Sequence, residues 1–222
     1  GIGGRHDATS VVDPVAATVT SVSLEHTDIL GSTVEEIARD KAQVAPAERP
    51  LVTGTTGAAL ETVREETDVV TVGGEDADVW VREAAHPGAL ESTVSLVGPD
   101  WDVETRTPLL GDHQARNAGI AATLARQVGV ATAMDVTEQA IAAGVRNVTV
   151  PGRFEVLDDA PLAVVDGAHN PDATAKLAAT LDRLEYDDLH LVFGAMRDKD
   201  HAAMCRALPD AAQVYLAEPA VE

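Results

Sequence analysis

Cysteine is almost missing from this 222-residue sequence, in which Cys205 stands alone. A single cysteine excludes an internal disulfide framework. Apolar runs approaching the roughly 18 residues of a membrane-spanning helix are also missing, and so is a recognisable signal peptide. The sequence has no CxxC motif, no HExxH motif and no other close cluster of histidine and cysteine, so we do not expect a zinc site.

Lysine is scarce as well, since Lys41, Lys176 and Lys199 are the only three. The chain has 16 basic and 37 acidic residues, which gives a net charge of −21 spread along its length rather than gathered in a tail. Such a surface repels nucleic acids and anionic membranes, so we expect neither as a partner. Salt at ~1 M shortens the Debye length to about 3 Å and screens this repulsion. The composition therefore predicts a cytoplasmic protein of a salt-accumulating organism; an acidic protein of a mesophile is the alternative.

The best-defined local pattern begins with an apolar, β-branched run at 162–165. The run predicts a buried strand of a parallel sheet, and the residues after it predict a helix capped by Asn170 or Asp172. Asp166 and His169 then lie at the carboxyl end of a strand beside a helix N-terminus, where α/β sheets bind ligands and free N–H groups favour anions. The alternative is that these two side chains only cap and brace the turn.

A second strand–helix pair contains Lys41. Residues 17–24 predict a strand by their β-branched content, and residues 33–44 predict a helix. The capping residues predicted for this helix are Ser32 or Thr33 with Glu35 or Glu36. Lys41 shares a helix face with Ile37 and Val44, which predicts that it points inward; a surface lysine with a buried stem is the alternative.

A long helix is predicted from Asp112, its cap, to about Val128. Gln114 and Asn117 are three residues apart and are therefore neighbours on its first turn. Their carboxamides can bind a planar base or merely cap the helix, and the local pattern alone favours capping.

The remaining pattern predicts an α/β protein with a boundary near Val150. Before the boundary, an antiparallel region is predicted from strands at 69–72, 78–83, 92–97 and 101–107, the last two joined by a hairpin at Gly98-Pro99-Asp100. After it, a small parallel sheet is predicted from strands at 154–157, 162–165, 189–193 and 213–217 that alternate with helices.

Six segments form a specific combination whose order and spacing cover essentially the whole chain: GIGGRHDATSVV (1–12), TSVSLEHTDILGSTVEEIARDKA (20–42), LLGDHQARNAGIA (109–121), PGRFEVL (151–157), VVDGAHNPDA (164–173) and VFGAMRDKD (192–200). Together they resemble folylpolyglutamate synthase/dihydrofolate synthase, in the Mur ligase superfamily of ATP-dependent ligases. The resemblance implies a partial central ATP-binding domain at 1–149 and a partial Rossmann-like C-terminal glutamate ligase domain at 150–222. It places the active site in the cleft between them.

The resemblance also implies a magnesium site. His26 would be a ligand of the metal, and Lys41 would be carbamylated so that its carbamate helps to hold the metal. This agrees with the preference of Mg²⁺ for hard oxygen ligands, because carbamylation turns a cationic lysine into an oxygen donor.

The resemblance implies a nucleotide site as well. The resemblance implies that Gln114 and Asn117 contact ATP, with Asn117 facing adenine, and that Arg153 reaches the phosphates. Asp166 and His169 would contact the ribose and phosphates and close the cleft. Lys41, Arg153 and His169 are thereby expected to act in catalysis, which for phosphoryl transfer means positioning and neutralisation of charge.

The implied reaction belongs to folate biosynthesis and has two steps. ATP phosphorylates a pterin-linked carboxylate, and the amino group of L-glutamate then attacks the acyl phosphate to form an amide. The pterin substrate is dihydropteroate, a folate or both, and the protein is expected to be a monomer.

The chain departs from the family pattern in two main respects, one of which is that the acidic metal ligand expected just before the GIGGR segment is missing. The Gly-Lys-Ser phosphate loop is absent, since Asp40, Ala175 and Asp198 precede the three lysines. We therefore expect a fragment, truncated at both ends and inactive alone. A peptidoglycan-precursor ligase is an alternative that GGRHDAT and PGRFEVL argue against; a non-catalytic nucleotide-binding remnant is another.

Overall fold

The computed structural model describes residues 3–4, 8–24, 26–45, 48–86, 88–211 and 213–218. The N-terminal part contains a six-stranded sheet whose strands follow chain order: β1 (Thr18–Val19), β2 (Leu51–Thr53), β3 (Val69–Gly73), β4 (Val79–Ala85), β5 (Ser92–Val97) and β6 (Asp102–Thr107). Strands β1 to β4 are parallel, and β4, β5 and β6 are antiparallel. The antiparallel region and its hairpin are thus confirmed, although β3 and β4 pair in parallel.

In the described ranges, this sheet is accompanied by a 3₁₀ helix (Ala8–Val11) and by five α-helices: α1 (Thr27–Leu30), α2 (Val34–Ala42), α3 (Gly57–Glu66), α4 (Asp112–Thr132) and α5 (Glu138–Arg146). The predicted capping box of α2 is confirmed, since Thr33 and Glu36 each accept from the other's backbone N–H. The predicted cap of α4 is wrong. Gly111 occupies the N-cap position, and Asp112 instead pairs with Arg183, 71 residues away. The strand predicted at 17–24 is also too long, because β1 has only two residues.

The core lies where α4 and α5 cover the sheet. Val72, Leu96 and Ile120 belong to one buried apolar cluster there, while Leu51 and Val63 belong to a second cluster beneath α2 and α3. Helix α4 approaches the sheet closely at Gly119, where an added Cβ would stand 2.5 Å from Val81 Cγ2. This close contact fixes α4 on the sheet, so that the first turn of α4 is a rigid support for the side chains that follow Gly111.

The C-terminal part consists of β7 (Glu155–Asp159), β8 (Leu162–Val165), α6 (Pro171–Leu181), β9 (His190–Phe193), α7 (His201–Ala207) and β10 (Gln213–Leu216). Strands β9 and β10 are parallel, but β7 and β8 form a separate antiparallel pair. The prediction of one parallel sheet is therefore wrong for the described strands. Asn170 caps α6 through a 2.8 Å bond from Ala173 N–H to Asn170 Oδ1, as one of the two predicted caps.

The α/β class is confirmed by both parts. Within the described ranges, no helix has both the length and the apolar character that crossing a bilayer requires.

Candidate functional site

A cavity of about 180 Å³ lies between the first turns of α4 and the segments around Gly152 and α6. It is lined by Leu110, His113, Gln114 and Asn117 from the N-terminal part, and by Arg153, Phe154, Asp166, Ala173, Lys176, Leu177 and Thr180 from the C-terminal part. Sites for drug-sized ligands measure roughly 300–1,000 Å³, so this cavity suits one portion of such a molecule.

The α4 wall presents two carboxamides. Asn117 Nδ2 donates to Gln114 Oε1 over 3.1 Å, and Gln114 is only 8% exposed. No side-chain bond caps α4 at Gly111, so the capping role favoured by the sequence pattern is wrong. Two linked carboxamides on a rigid helix instead offer donors and acceptors to a planar ligand.

The opposite wall is built around the carboxylate of Asp166. One oxygen accepts from Phe154 N–H and the other from Ala168 N–H, each over 2.8 Å. Gly167 N–H also donates to Gly152 O over 2.7 Å, which joins the turn after β8 to the segment before β7. Asp166 therefore braces this turn, as one interpretation of the sequence held, and lines the cavity as well.

Arg153 is held at the cavity by these backbone bonds. Its side chain is exposed and passes near Gly167, where an added Cβ would lie 3.6 Å from Nη1. Across the described ranges, the guanidinium has no carboxylate within ion-pair distance. A free guanidinium in a strongly acidic protein is available to an anionic ligand, and its planar fork suits phosphate.

Two titratable side chains in the cavity were missed by the sequence analysis. His113 follows the N-cap of α4, and burial lowers its pKa, with the nearby charge of Lys176 adding to the effect while Asp166 opposes it. Lys176 itself pairs with Asp172 over 2.6 Å. The helical spacing of 173, 176, 177 and 180 was the available signal, because it places these four residues on one face of α6.

His169 does not line the cavity. It is exposed, and its Nδ1 lies 3.1 Å from Gly167 O within the same turn. Of the residues predicted for nucleotide binding, the structure thus brings together Gln114, Asn117, Arg153 and Asp166, and leaves His169 at the edge of the turn, where it has a bracing contact.

Lys41 lies at a different cavity of about 140 Å³, lined by Gly3, Thr18, Val19, Thr20, Ser21, Lys41 and Val44. Lys41 is half-buried, which fits both the inward direction predicted for it and the alternative of a surface lysine with a buried stem. His26 is not among the lining residues; it is exposed, with a left-handed backbone at φ 53°. Gly4, in the segment GIGGRHDATSVV, lies nearby, and its N–H donates to Asp40 Oδ2 over 2.7 Å. Residues 1–2 and 5–7 of that segment lie outside the described ranges.

The second cavity fits a metal site only in part. Within the described ranges, no group of three or more His, Cys, Asp and Glu side chains could hold an ion, and Glu25 lies outside them. Thr18 Oγ1 is buried there without a partner among the described residues. A magnesium site needs one or two anionic protein oxygens beside phosphates and water, and Lys41 supplies such an oxygen only as a carbamate.

Comparisons with known proteins match both parts of the chain to one superfamily. The Mur ligase middle domain matches residues 1–125, and the Mur ligase glutamate ligase domain matches residues 152–222. A probable bifunctional folylpolyglutamate synthase/dihydropteroate synthase of Haloferax volcanii is 56% identical over 96% of this chain and 26% of its own length. The dihydrofolate synthase/folylpolyglutamate synthase of Bacillus subtilis is 32% identical over 94% of this chain and 49% of its own length.

Solved structures that are similar to this chain include folylpolyglutamate synthases. The apo form of the folylpolyglutamate synthase (FPGS) of L. casei has a TM-score of 0.85 at 32% identity, over 97% of this chain and 53% of that one. A complex of FPGS with AMPPCP and folate has a TM-score of 0.84 at 31% identity, over 96% of this chain and 54% of that one. The chain therefore spans between about a quarter and a half of the length of these proteins.

Proposed function

Because the chain belongs to the folylpolyglutamate synthase/dihydrofolate synthase family of the Mur ligase superfamily, we propose that it is the nucleotide-binding part of an ATP-dependent acid–amino-acid ligase. The proposed reaction adds L-glutamate to dihydropteroate, to folates or to both. The observation that carries the proposal is the cavity in which Gln114 and Asn117 face Arg153 and Asp166 across the two parts. The FPGS complex with AMPPCP and folate supports the choice of substrates.

The residues of this cavity have distinct proposed roles. Gln114 and Asn117 bind the adenine, since their linked carboxamides match the donor and acceptor edge of a base. Asp166 orients the ribose while bracing its own turn. Arg153 neutralises phosphate charge, and His169, at the edge of the turn, contacts the phosphates. In this arrangement the nucleotide is held by both parts at once.

The proposed chemistry moves one phosphoryl group and forms one amide. An oxygen of the pterin-linked carboxylate attacks the γ-phosphorus of ATP, and the bond to the β-phosphate oxygen breaks as ADP leaves. The amine of L-glutamate then attacks the acyl carbon, loses a proton, and phosphate departs. Arg153 contributes by stabilising negative charge on the phosphates in the first step.

Magnesium is the proposed metal of the second cavity. Carbamylated Lys41 would hold it together with ATP phosphates and water, and His26, which does not line the cavity in this structure, would have to approach it as a further ligand. The metal would supply positive charge for phosphoryl transfer. The expected consequence is that Lys41→Ala in the full-length gene product removes most ligase activity. Full activity of that variant would contradict the carbamate.

The organisation proposed for the protein is a central domain at 1–149 and a glutamate ligase domain at 150–222, in a cytoplasmic monomer. The two family matches, which end at 125 and begin at 152, support a boundary in this interval.

A ligation assay on the full-length gene product tests the proposal. The protein is supplied with ATP, Mg²⁺ and L-glutamate, and with dihydropteroate or a reduced folate, in molar KCl. The expected result is release of phosphate and formation of the glutamylated pterin with at least one acceptor, whereas the 222-residue chain alone has no activity. A full-length product that binds ATP without ligating either acceptor would favour a nucleotide-binding remnant, and activity with a peptidoglycan precursor would favour the related ligase.

A further inference from the structure

A buried carboxylate joins the two parts beside the nucleotide cavity. Glu83, on β4, has a side chain that is only 3% exposed. Its Oε2 accepts from Arg183 Nη1 over 2.6 Å, although Arg183 lies 100 residues further along the chain, just after α6. Arg183 Nη2 also donates to Asp112 Oδ1 over 3.2 Å. We call Glu83, Asp112 and Arg183 the interdomain clamp.

The clamp reaches the cavity wall through the other oxygen of Glu83. Glu83 Oε1 accepts from Gly111 N–H over 3.1 Å and from Ser92 Oγ over 2.6 Å. Gly111 is the N-cap of α4, and Gln114 follows three residues later. One carboxylate therefore fixes both the start of α4 and the end of α6, the two helices that carry opposite walls of the cavity.

The buried charge of Glu83 strongly favours the arrangement in which Arg183 stays paired with it. A carboxylate as buried as Glu83 is stable only when it is paired and hydrogen-bonded, so separation of Arg183 from Glu83 leaves an uncompensated buried charge. The side chains of Arg183 and Glu83 are 30% and 3% exposed, against 50% and 28% for Arg39 and Glu66, so salt screens the clamp pair less than it screens that surface pair. The other ion pairs found in the described ranges each lie within one of the two parts, and most are exposed.

We propose that the interdomain clamp is a positioning device for the nucleotide site: it holds α6 against the N-terminus of α4, and so sets the distance between the carboxamides of Gln114 and Asn117 and the opposite wall at Arg153. The inference rests on the proposed function, because the cavity is taken as the ATP site. None of the three clamp residues lines the cavity, so each acts through other residues.

The test uses two variants of the full-length gene product. Arg183→Met leaves Glu83 unpaired, and that single variant can fail to fold. The double variant Glu83→Gln with Arg183→Met has no buried charge, and its glutamine still accepts from Gly111 N–H. Arg39→Met is the matched control, because Arg39 also has two carboxylate partners, Glu65 and Glu66, but both lie in its own part of the protein.

Two measurements are made on each variant. The first is the distance between spin labels on cysteines introduced at two exposed positions, Gln139→Cys on α5 and Ala179→Cys on α6, after Cys205 and every other native cysteine have been replaced by serine. The second is the affinity for ATP. We expect the double variant to show a broadened distance distribution and an affinity at least ~10-fold weaker, as befits loss of a pre-organised site. Arg39→Met should match the wild type in both measurements.

A conservative variant separates positioning from general stability. Arg183→Lys keeps one charge but lacks the fork that reaches Glu83 and Asp112 together, so its affinity should lie between those of the wild type and the double variant. Wild-type distances in the double variant, or broadened distances with unchanged ATP affinity, would overturn the proposal. Absence of ATP binding by the wild-type protein would instead contradict the proposed function, and the distances would still decide whether the clamp fixes the two parts.

Discussion

Gly111 and Thr180 lie close together beside the nucleotide cavity. A Cβ added at Gly111 would stand 3.1 Å from Thr180 Oγ1 and 2.8 Å from the ring of His113. The N-cap of α4 therefore lies against the last turn of α6, and a side chain at position 111 would have to displace His113 and Thr180. The two parts of the protein meet at the point from which the carboxamides of α4 are presented.

Substitution of this glycine should damage the protein. Gly111 has φ 104°, a conformation that costs a residue with a side chain about 1–3 kcal/mol, and the contact with Thr180 adds to this. We expect Gly111→Ala to lower the free energy of unfolding by at least that amount in chemical denaturation. Gly144→Ala, in open space on α5, is the control and should raise the stability by about 0.5–1 kcal/mol. Equal effects of the two changes would contradict the close contact.

His113 should make stability depend on pH below neutrality. Burial and the charge of Lys176 hold the pKa of His113 below its ordinary value of 6.5. As the pH falls from 6.5 towards the folded-state pKa, the unfolded chain binds this proton first, so stability decreases. Denaturation at several pH values between 7 and 5 should show the decrease, and His113→Gln should reduce its slope. An identical slope in the variant would remove His113 as the cause.

Arg153 should contribute to the binding of phosphate and not of the base. A hydrogen bond to a charged group contributes about 1.5–3 kcal/mol, so Arg153→Met in the full-length gene product should weaken ATP binding roughly 10–100-fold. Titration with adenosine should show no such loss. Arg146→Met, on the exposed end of α5, serves as the control. Equal losses for ATP and adenosine would place Arg153 elsewhere than at the phosphates.

The folded chain should become more stable as salt increases, because its surface is strongly acidic. With 37 acidic and 16 basic residues, the folded chain repels itself more strongly than the expanded chain does. We expect the melting temperature to rise as KCl increases into the molar range, because screening shortens the reach of the repulsion. A melting temperature that does not change with KCl would contradict salt adaptation.

Local sequence patterns correctly predicted helix caps and the neighbouring positions of side chains on one helix. The capping box at Thr33 and Glu36 and the cap at Asn170 are short-range interactions of a side chain with the backbone a few residues away, so their signal is in the sequence itself. The neighbouring positions of Gln114 and Asn117 follow from helical geometry for the same reason.

Relationships over long distances could not be predicted in this way. Asp112 looks like a helix cap, yet it pairs with Arg183, 71 residues away, because the fold brings α6 beside α4. The antiparallel pairing of β7 with β8 depends likewise on how the chain returns on itself. His169 and Asp166 share one turn, but only the structure shows that Asp166 alone of the two lines the cavity.

The central claim is that one nucleotide is held by both parts of the protein. Hydrogen exchange of the full-length gene product, measured with and without AMPPCP, tests it most directly. The account predicts slower exchange in the presence of AMPPCP both in peptides covering 108–118 and in peptides covering 151–170. Slower exchange in only one of these regions, or in neither, would contradict it.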